Sequence, residues 1–90
     1  MRGSKLEIQI DILRILTLGP MKLTGLMHKT DLNQNVLNQH LDFLVRQNLV
    51  EEQNLGKDEI FYVVTRRGLV VLDIIAPTIE IARKSQLLSY

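Results

Sequence analysis

Ninety residues, 46% of them hydrophobic and 23% charged, make one small domain and not two. Eleven Lys/Arg against ten Asp/Glu leave a formal charge of +1, which excludes a polybasic coat for nucleic acid and an acidic disordered tail. The absence of cysteine excludes disulfides, thiolate metal sites and thiol catalysis. Four aromatic residues, Phe43, Phe61, Tyr62 and Tyr90, are too few for a base-stacking platform.

From the N-terminus, Met1–Gly3 stays outside the fold argument, and Ser4-Lys5-Leu6-Glu7 fits the S-x-x-E capping box. It predicts a helix from about Lys5 to Leu18, stopped at Gly19-Pro20. Leu6, Ile8, Ile10 and Ile12 alternate with polar residues as a strand would, but Ile12-Leu13 and Ile15-Leu16 repeat at helical spacing. On that helix Leu6, Ile10 and Leu13 share one side, and Ile8, Ile12, Ile15 and Leu16 another. Two apolar sides require two partners: the domain's own core, and either a longer helix of the same chain or a second chain.

Met21-Lys22 fits a very short strand, and Leu23 to Lys29 a short helix with Leu23, Leu26 and Met27 as its buried stripe. Thr30-Asp31-Leu32-Asn33 reads as a turn, with Asn33 capping a third helix from Gln34 to Gln47. Leu37, His40, Leu41 and Leu44 mark its inner side, and Asn35, Asn38, Gln39, Asp42 and Arg46 its outer side. Asn48 falls where a left-handed residue ends a helix. Leu49–Asn54 and Glu59–Val64 are strand-like, and Leu55-Gly56-Lys57-Asp58 between them makes an antiparallel hairpin. Thr65 caps the last helix, where Leu69, Leu72, Ile75, Ile79, Ala82 and Gln86 follow the spacing of a helix–helix seam. Pro77 predicts a kink or a break near Ala76.

The predicted order is helix, short helix, turn, helix, hairpin, long helix. That is a mostly helical α+β fold of winged helix-turn-helix type, with residues 1–67 as the winged domain and 68–90 as a dimerisation helix. Duplex DNA suits it, because the major groove admits one α-helix and offers a readable donor/acceptor pattern. Asn35, Asn38 and Gln39, with Gln34 beside them, fit adenine edges; Arg46 fits phosphate or guanine; Asp42 fits a cytosine amino group or plain solvent. Lys57 at the hairpin tip, Lys22 and Arg66 fit the DNA backbone. The bland alternative is a solvated polar helix face and solvated lysines. The last helix is apolar nearly all round, so a homodimer seam of Ile8, Ile12, Leu72, Ile75, Ile79 and Ala82 is expected. His40 reads as a half-buried packing residue, and Met21 and Met27 as core filler.

Several stretches carry a resemblance. Leu6-Glu7-Ile8 through Ile12-Leu13, Lys22…Thr24…Leu26-Met27 and Leu37…Leu41…Leu44 are similar, in order and spacing, to the small archaeal winged-helix DNA-binding domains. Leu49-Val50-Glu51 and Tyr62…Thr65-Arg66-Arg67-Gly68 continue the match to about Leu87. The resemblance implies a dimer through the C-terminal helix, often as an antiparallel coiled coil, and a role in transcription regulation or chromosome organisation. It also implies that the third helix is the recognition helix and Lys57 the wing tip. One departure bears on mechanism. The third helix and hairpin carry Asp42, Glu51, Glu52, Asp58 and Glu59 against Arg46 and Lys57, which disfavours sequence-blind coating, since each phosphate contact needs a cation.

A dimeric, sequence-specific transcription regulator is therefore expected; the other reading is a winged-helix module for protein–protein assembly without DNA contact. No enzyme is expected, because the chain lacks a nucleophile–base set, a Gly-rich phosphate loop and H-E-x-x-H. No cofactor is expected either, and two distant histidines, His28 and His40, do not make a zinc site. No apolar run approaches a membrane span and no signal peptide is evident, so a cytoplasmic location is expected.

Overall fold

The computed structural model describes residues 4–56 and 58–88, with side chains through Ser85. The elements follow the order α1 (Lys5–Leu16), α2 (Leu23–Thr30), α3 (Gln34–Arg46), β1 (Val50–Asn54), β2 (Ile60–Val64) and α4 (Arg66–Leu88). Lys57 and the side chain of Gln86 lie outside the described residues.

Local hydrogen bonds start and stop these elements. The Glu7 N–H donates to Ser4 Oγ at 3.2 Å and the Ser4 N–H donates to Glu7 Oε1 at 3.4 Å, completing the capping box. α1 ends two residues before the expected Leu18, with Thr17 as its C-cap. Asp31 takes the left-handed conformation at φ 62 and ends α2. Asn33 Oδ1 accepts from the Val36 N–H at 2.9 Å and opens α3. At the far end of α3, Asn48 adopts φ 60. Its N–H donates to the Val45 carbonyl at 3.0 Å, and the Leu49 N–H donates to the Leu44 carbonyl at 2.9 Å. This paired closure satisfies two free helix carbonyls and places Leu49 against the core.

β1 and β2 pair antiparallel, with Val50 opposite Val64 and Glu52 opposite Tyr62. Met21 adds a single bridge to Tyr62: its N–H donates to the Tyr62 carbonyl at 3.1 Å, and the Tyr62 N–H donates back at 2.7 Å. The core gathers Ile10, Ile12, Leu13 and Leu16 of α1, Leu26 of α2, Leu37, Leu41 and Leu44 of α3, Leu49 and Val50 beside the hairpin, and Ile79 of α4. Each fully buried side chain of this size contributes about 1.5–3 kcal/mol.

Thr65 and Gly68 join α3 to α4. Thr65 Oγ1 donates to the Asn48 carbonyl at 2.6 Å and accepts from the Gly68 N–H at 3.0 Å. A Cβ at Gly68 would run into the Leu49 carbonyl oxygen and lie 2.8 Å from a Val64 methyl carbon. Only glycine allows the first turn of α4 to seat this closely.

α4 lies antiparallel to α1, and two ion pairs tie them: Arg14 Nη2 to Glu80 Oε1 at 2.8 Å, and Arg83 Nη2 to Glu7 Oε2 at 2.9 Å. The second apolar side of α1 is thus covered by a helix of the same chain. Of the two outcomes expected at Pro77, a kink or a break, the break is absent: α4 runs through it as one helix. Proline has no N–H for the Asp73 carbonyl, but Ile75 and Ile79 on either side pack on the core and hold α4 to it. Ile12 at 0% exposure and Ile79 at 8% are core residues of their own chain. Ile8, Leu72 and Ile75 are also packed on this core; only Ala82 of the expected seam is exposed.

Candidate nucleic-acid interface

α3 divides into two faces. Leu37, His40, Leu41 and Leu44 are buried, while Gln34, Asn35, Asn38, Gln39, Asp42 and Arg46 are exposed. The apolar side fixes the helix to α1 and α2, so the amide side chains present donors and acceptors outward from a rigid support. His40 closes the inner side. Gln9 Nε2 lies 3.3 Å from His40 Nδ1, and burial, helped by the Lys5 charge, pushes the imidazole below its ordinary pKa. The ring is a packing residue, as expected.

The structure brings together only part of the predicted set. Asn38, Gln39 and Asp42 line a cleft of about 370 Å³ between α3 and the hairpin, closed by Glu52 and Tyr62. Gln34 and Asn35 sit one turn toward the start of α3, on the same exposed side. Arg46 lies about 18 Å further along the axis than Gln34, from twelve steps of 1.5 Å, with its Nε 3.4 Å from the Asp42 carbonyl oxygen. Arg66 stands beyond the Thr65–Asn48 junction, next to that far end of α3, and not beside the cleft. Lys22 is engaged: Nζ lies 3.1 Å from Glu59 Oε1 and 5.5 Å from the centre of the Phe61 ring. Its charge ties α2 to the hairpin rather than standing free for phosphate.

Sequence reasoning missed Glu52 and Tyr62. They are cross-strand partners whose side chains share a face, which only the register reveals. Burial raises the Tyr62 phenol above its ordinary pKa, and the Glu52 and Asp42 carboxylates raise it further. The cleft is therefore polar and negative, rich in acceptors and poor in cations. Among the described residues no group of His, Asp and Glu is arranged to hold a metal ion, and no helix is long and apolar enough to cross a membrane.

Helix, short helix, turn, outward-facing helix and hairpin together define the winged helix-turn-helix class. The chain matches the winged helix-turn-helix family over residues 2–83 and belongs to it. This is a family of binding domains and not of enzymes. Among solved structures, the chain is similar to Sso10a-2, a DNA-binding protein from Sulfolobus solfataricus, at TM-score 0.79 and 26% identity over 99% of both chains. It is also similar to RV1404 from Mycobacterium tuberculosis, at TM-score 0.73 and 24% identity, over 91% of this chain and 59% of that one. AbsC, a MarR family transcriptional regulator from Streptomyces coelicolor, gives TM-score 0.73 and 24% identity, over 87% of this chain and 55% of that one. The chain thus spans little more than half the length of the latter two proteins. No curated protein matches it.

Proposed function

We propose that the protein is a homodimeric, sequence-specific DNA-binding transcription regulator that reads the major groove with α3. The observation that carries this reading is the outward row Gln34, Asn35, Asn38 and Gln39 on a helix whose other face is locked into the core. Amides of this kind pair bidentately with adenine edges, each good pair contributing about 1–3 kcal/mol of discrimination. Asp42 and Glu52 add acceptors suited to a cytosine amino group. The family and the likeness to a DNA-binding protein over the full chain support it. Affinity comes from few phosphate contacts, made by Arg46, Arg66 and Lys57, so two copies are needed to build a useful interface.

The dimer reading has its own support. Val70 at 52%, Ile74 at 67% and Ile81 at 66% exposure form an apolar stripe along α4, turned away from α1. With Pro77 they repeat at four, three and four residues, the spacing of a coiled-coil seam. A second copy related by a two-fold axis covers this stripe with its own and sets the two α3 helices for successive major grooves, about 34 Å apart.

A duplex selected from a random pool, titrated by fluorescence anisotropy at 50 mM salt, tests the DNA reading. Saturable binding, weakened about tenfold by Asn38→Ala with the fold intact, supports it. A second reading, protein–protein assembly through the same surface, draws on the excess of carboxylates around the cleft. Absence of binding to any duplex at that salt favours this second reading and rejects the first.

A further inference from the structure

We infer that the free edge of β1 takes up an extended, basic segment of a partner protein as an added strand. β2 is flanked on one side by β1 and on the other by Met21, whose N–H and carbonyl both bond to Tyr62. Tyr62 thus directs its backbone groups at Met21 and away from Glu52, its partner across the sheet. Outward and inward groups alternate along an antiparallel ladder, so the N–H and carbonyl of Glu52 and of Asn54 point away from β2. The bond from the Thr65 N–H to the Leu49 carbonyl fits the same alternation. Glu52 and Asn54 are exposed, and among the described residues no backbone group pairs with them on that side.

Charge selects the occupant. Glu52 lies on the cleft face with Asp42, and Glu51, its neighbour in β1, lies on the opposite face. Lys22 is engaged with Glu59, and among the described residues no cation pairs with Asp42, Glu51 or Glu52. A strand laid along this edge sets one side chain directly opposite Glu52, on the cleft face, and the next one on the other face. Lysine or arginine at the first of these positions meets both Glu52 and Asp42, and opposite charges paired across strands are favourable. The β1 of a second copy is disfavoured, because a two-fold axis at this edge sets Glu52 against Glu52, and such charges keep edge strands apart.

The pairing is short. Val50 is 2% exposed and β1 ends at Asn54, so the main-chain bonds come from Glu52 and Asn54. Those bonds supply the affinity, and the alternate side chains supply the selection. The edge is separate from the α4 stripe and from the outward row of α3. The inference therefore depends on neither the dimer nor the DNA reading.

Titration of the full chain, without DNA, by amide-resolved NMR with a short capped peptide alternating lysine and valine tests the site. Saturation on the order of millimolar is expected, with shifts centred on Glu51–Asn54. Hydrogen exchange is expected to slow at the Glu52 and Asn54 amides, which face water in the free chain, and to change little at Glu51 and Gln53, which the ladder already holds. The same peptide N-methylated at its lysines has no N–H for this edge and is expected to bind about tenfold more weakly. Glutamate in place of its lysines is expected to abolish saturable binding. Glu52→Pro removes the outward N–H and the carboxylate, leaves the bonds between β1 and β2 in place, and is expected to abolish binding; if that variant does not fold, the N-methylated peptide decides. Equal affinity of the plain and N-methylated peptides, unchanged exchange at Glu52 and Asn54, shifts centred elsewhere, or no saturable shifts would overturn the proposal.

Discussion

On α3 the inward residues Leu37, His40, Leu41 and Leu44 are buried and the outward residues from Gln34 to Arg46 are polar and exposed. On α4 the inward residues Leu72, Ile75 and Ile79 meet α1, yet the outward residues Val70, Ile74 and Ile81 are apolar too. A helix like α3 is stable in water whether or not a ligand is present, so its outer side chains are free to specify one. A helix like α4 leaves apolar surface exposed, which favours a permanent protein partner. Under the proposed function the two helices would separate two kinds of recognition, one reversible and polar, the other structural and apolar.

The largest expected effect comes from breaking the α4 side alone. Ile74→Glu places a charge in the proposed seam and is expected to weaken the dimer by roughly 3 kcal/mol or more, over a hundredfold. Sedimentation equilibrium should then report a folded 10.4 kDa monomer. An unchanged dimer would show that the stripe is not the seam. Next comes the junction of the two helices. Gly68→Ala pushes a methyl into the Leu49 carbonyl and should cost about 1–3 kcal/mol in urea unfolding, loosening both helices together.

The smallest effect sharpens the α3 side. His40 has a lowered folded-state pKa, because burial and Lys5 disfavour the charged ring. The unfolded chain therefore binds a proton more readily, and stability is lost as pH falls below the usual histidine value of 6.5. Urea midpoints at pH 7.5 and 5.5 should differ in the natural protein and differ less in His40→Leu. This window lies above that of Glu7, whose lowered pKa, set mainly by the Arg83 hydrogen bond, affects stability only as pH falls through the carboxylate range.

These particulars also show what is legible in a sequence. The capping box at Ser4, the cap at Asn33 and the left-handed Asn48 depend on bonds across a few residues, so their spacing reveals them. The inner and outer faces of α3 follow from period alone. The inward side of α4 does not, because apolar residues recur at three- and four-residue steps on two sides of that helix. Which side meets α1 is settled by Arg14–Glu80 and Glu7–Arg83, pairs 66 and 76 residues apart. The neutralisation of Lys22 by Glu59 and the place of Tyr62 in the cleft likewise depend on how the hairpin docks.

The division of labour between the two helices can be tested in one measurement. Amide shifts of the full chain are mapped on adding the selected duplex. The largest changes are expected along Gln34–Arg46 and at the hairpin, with the Val70–Ile81 stripe unmoved, as it would be if the proposed second copy covers it. Changes centred on that stripe, with α3 unaffected, would contradict that division.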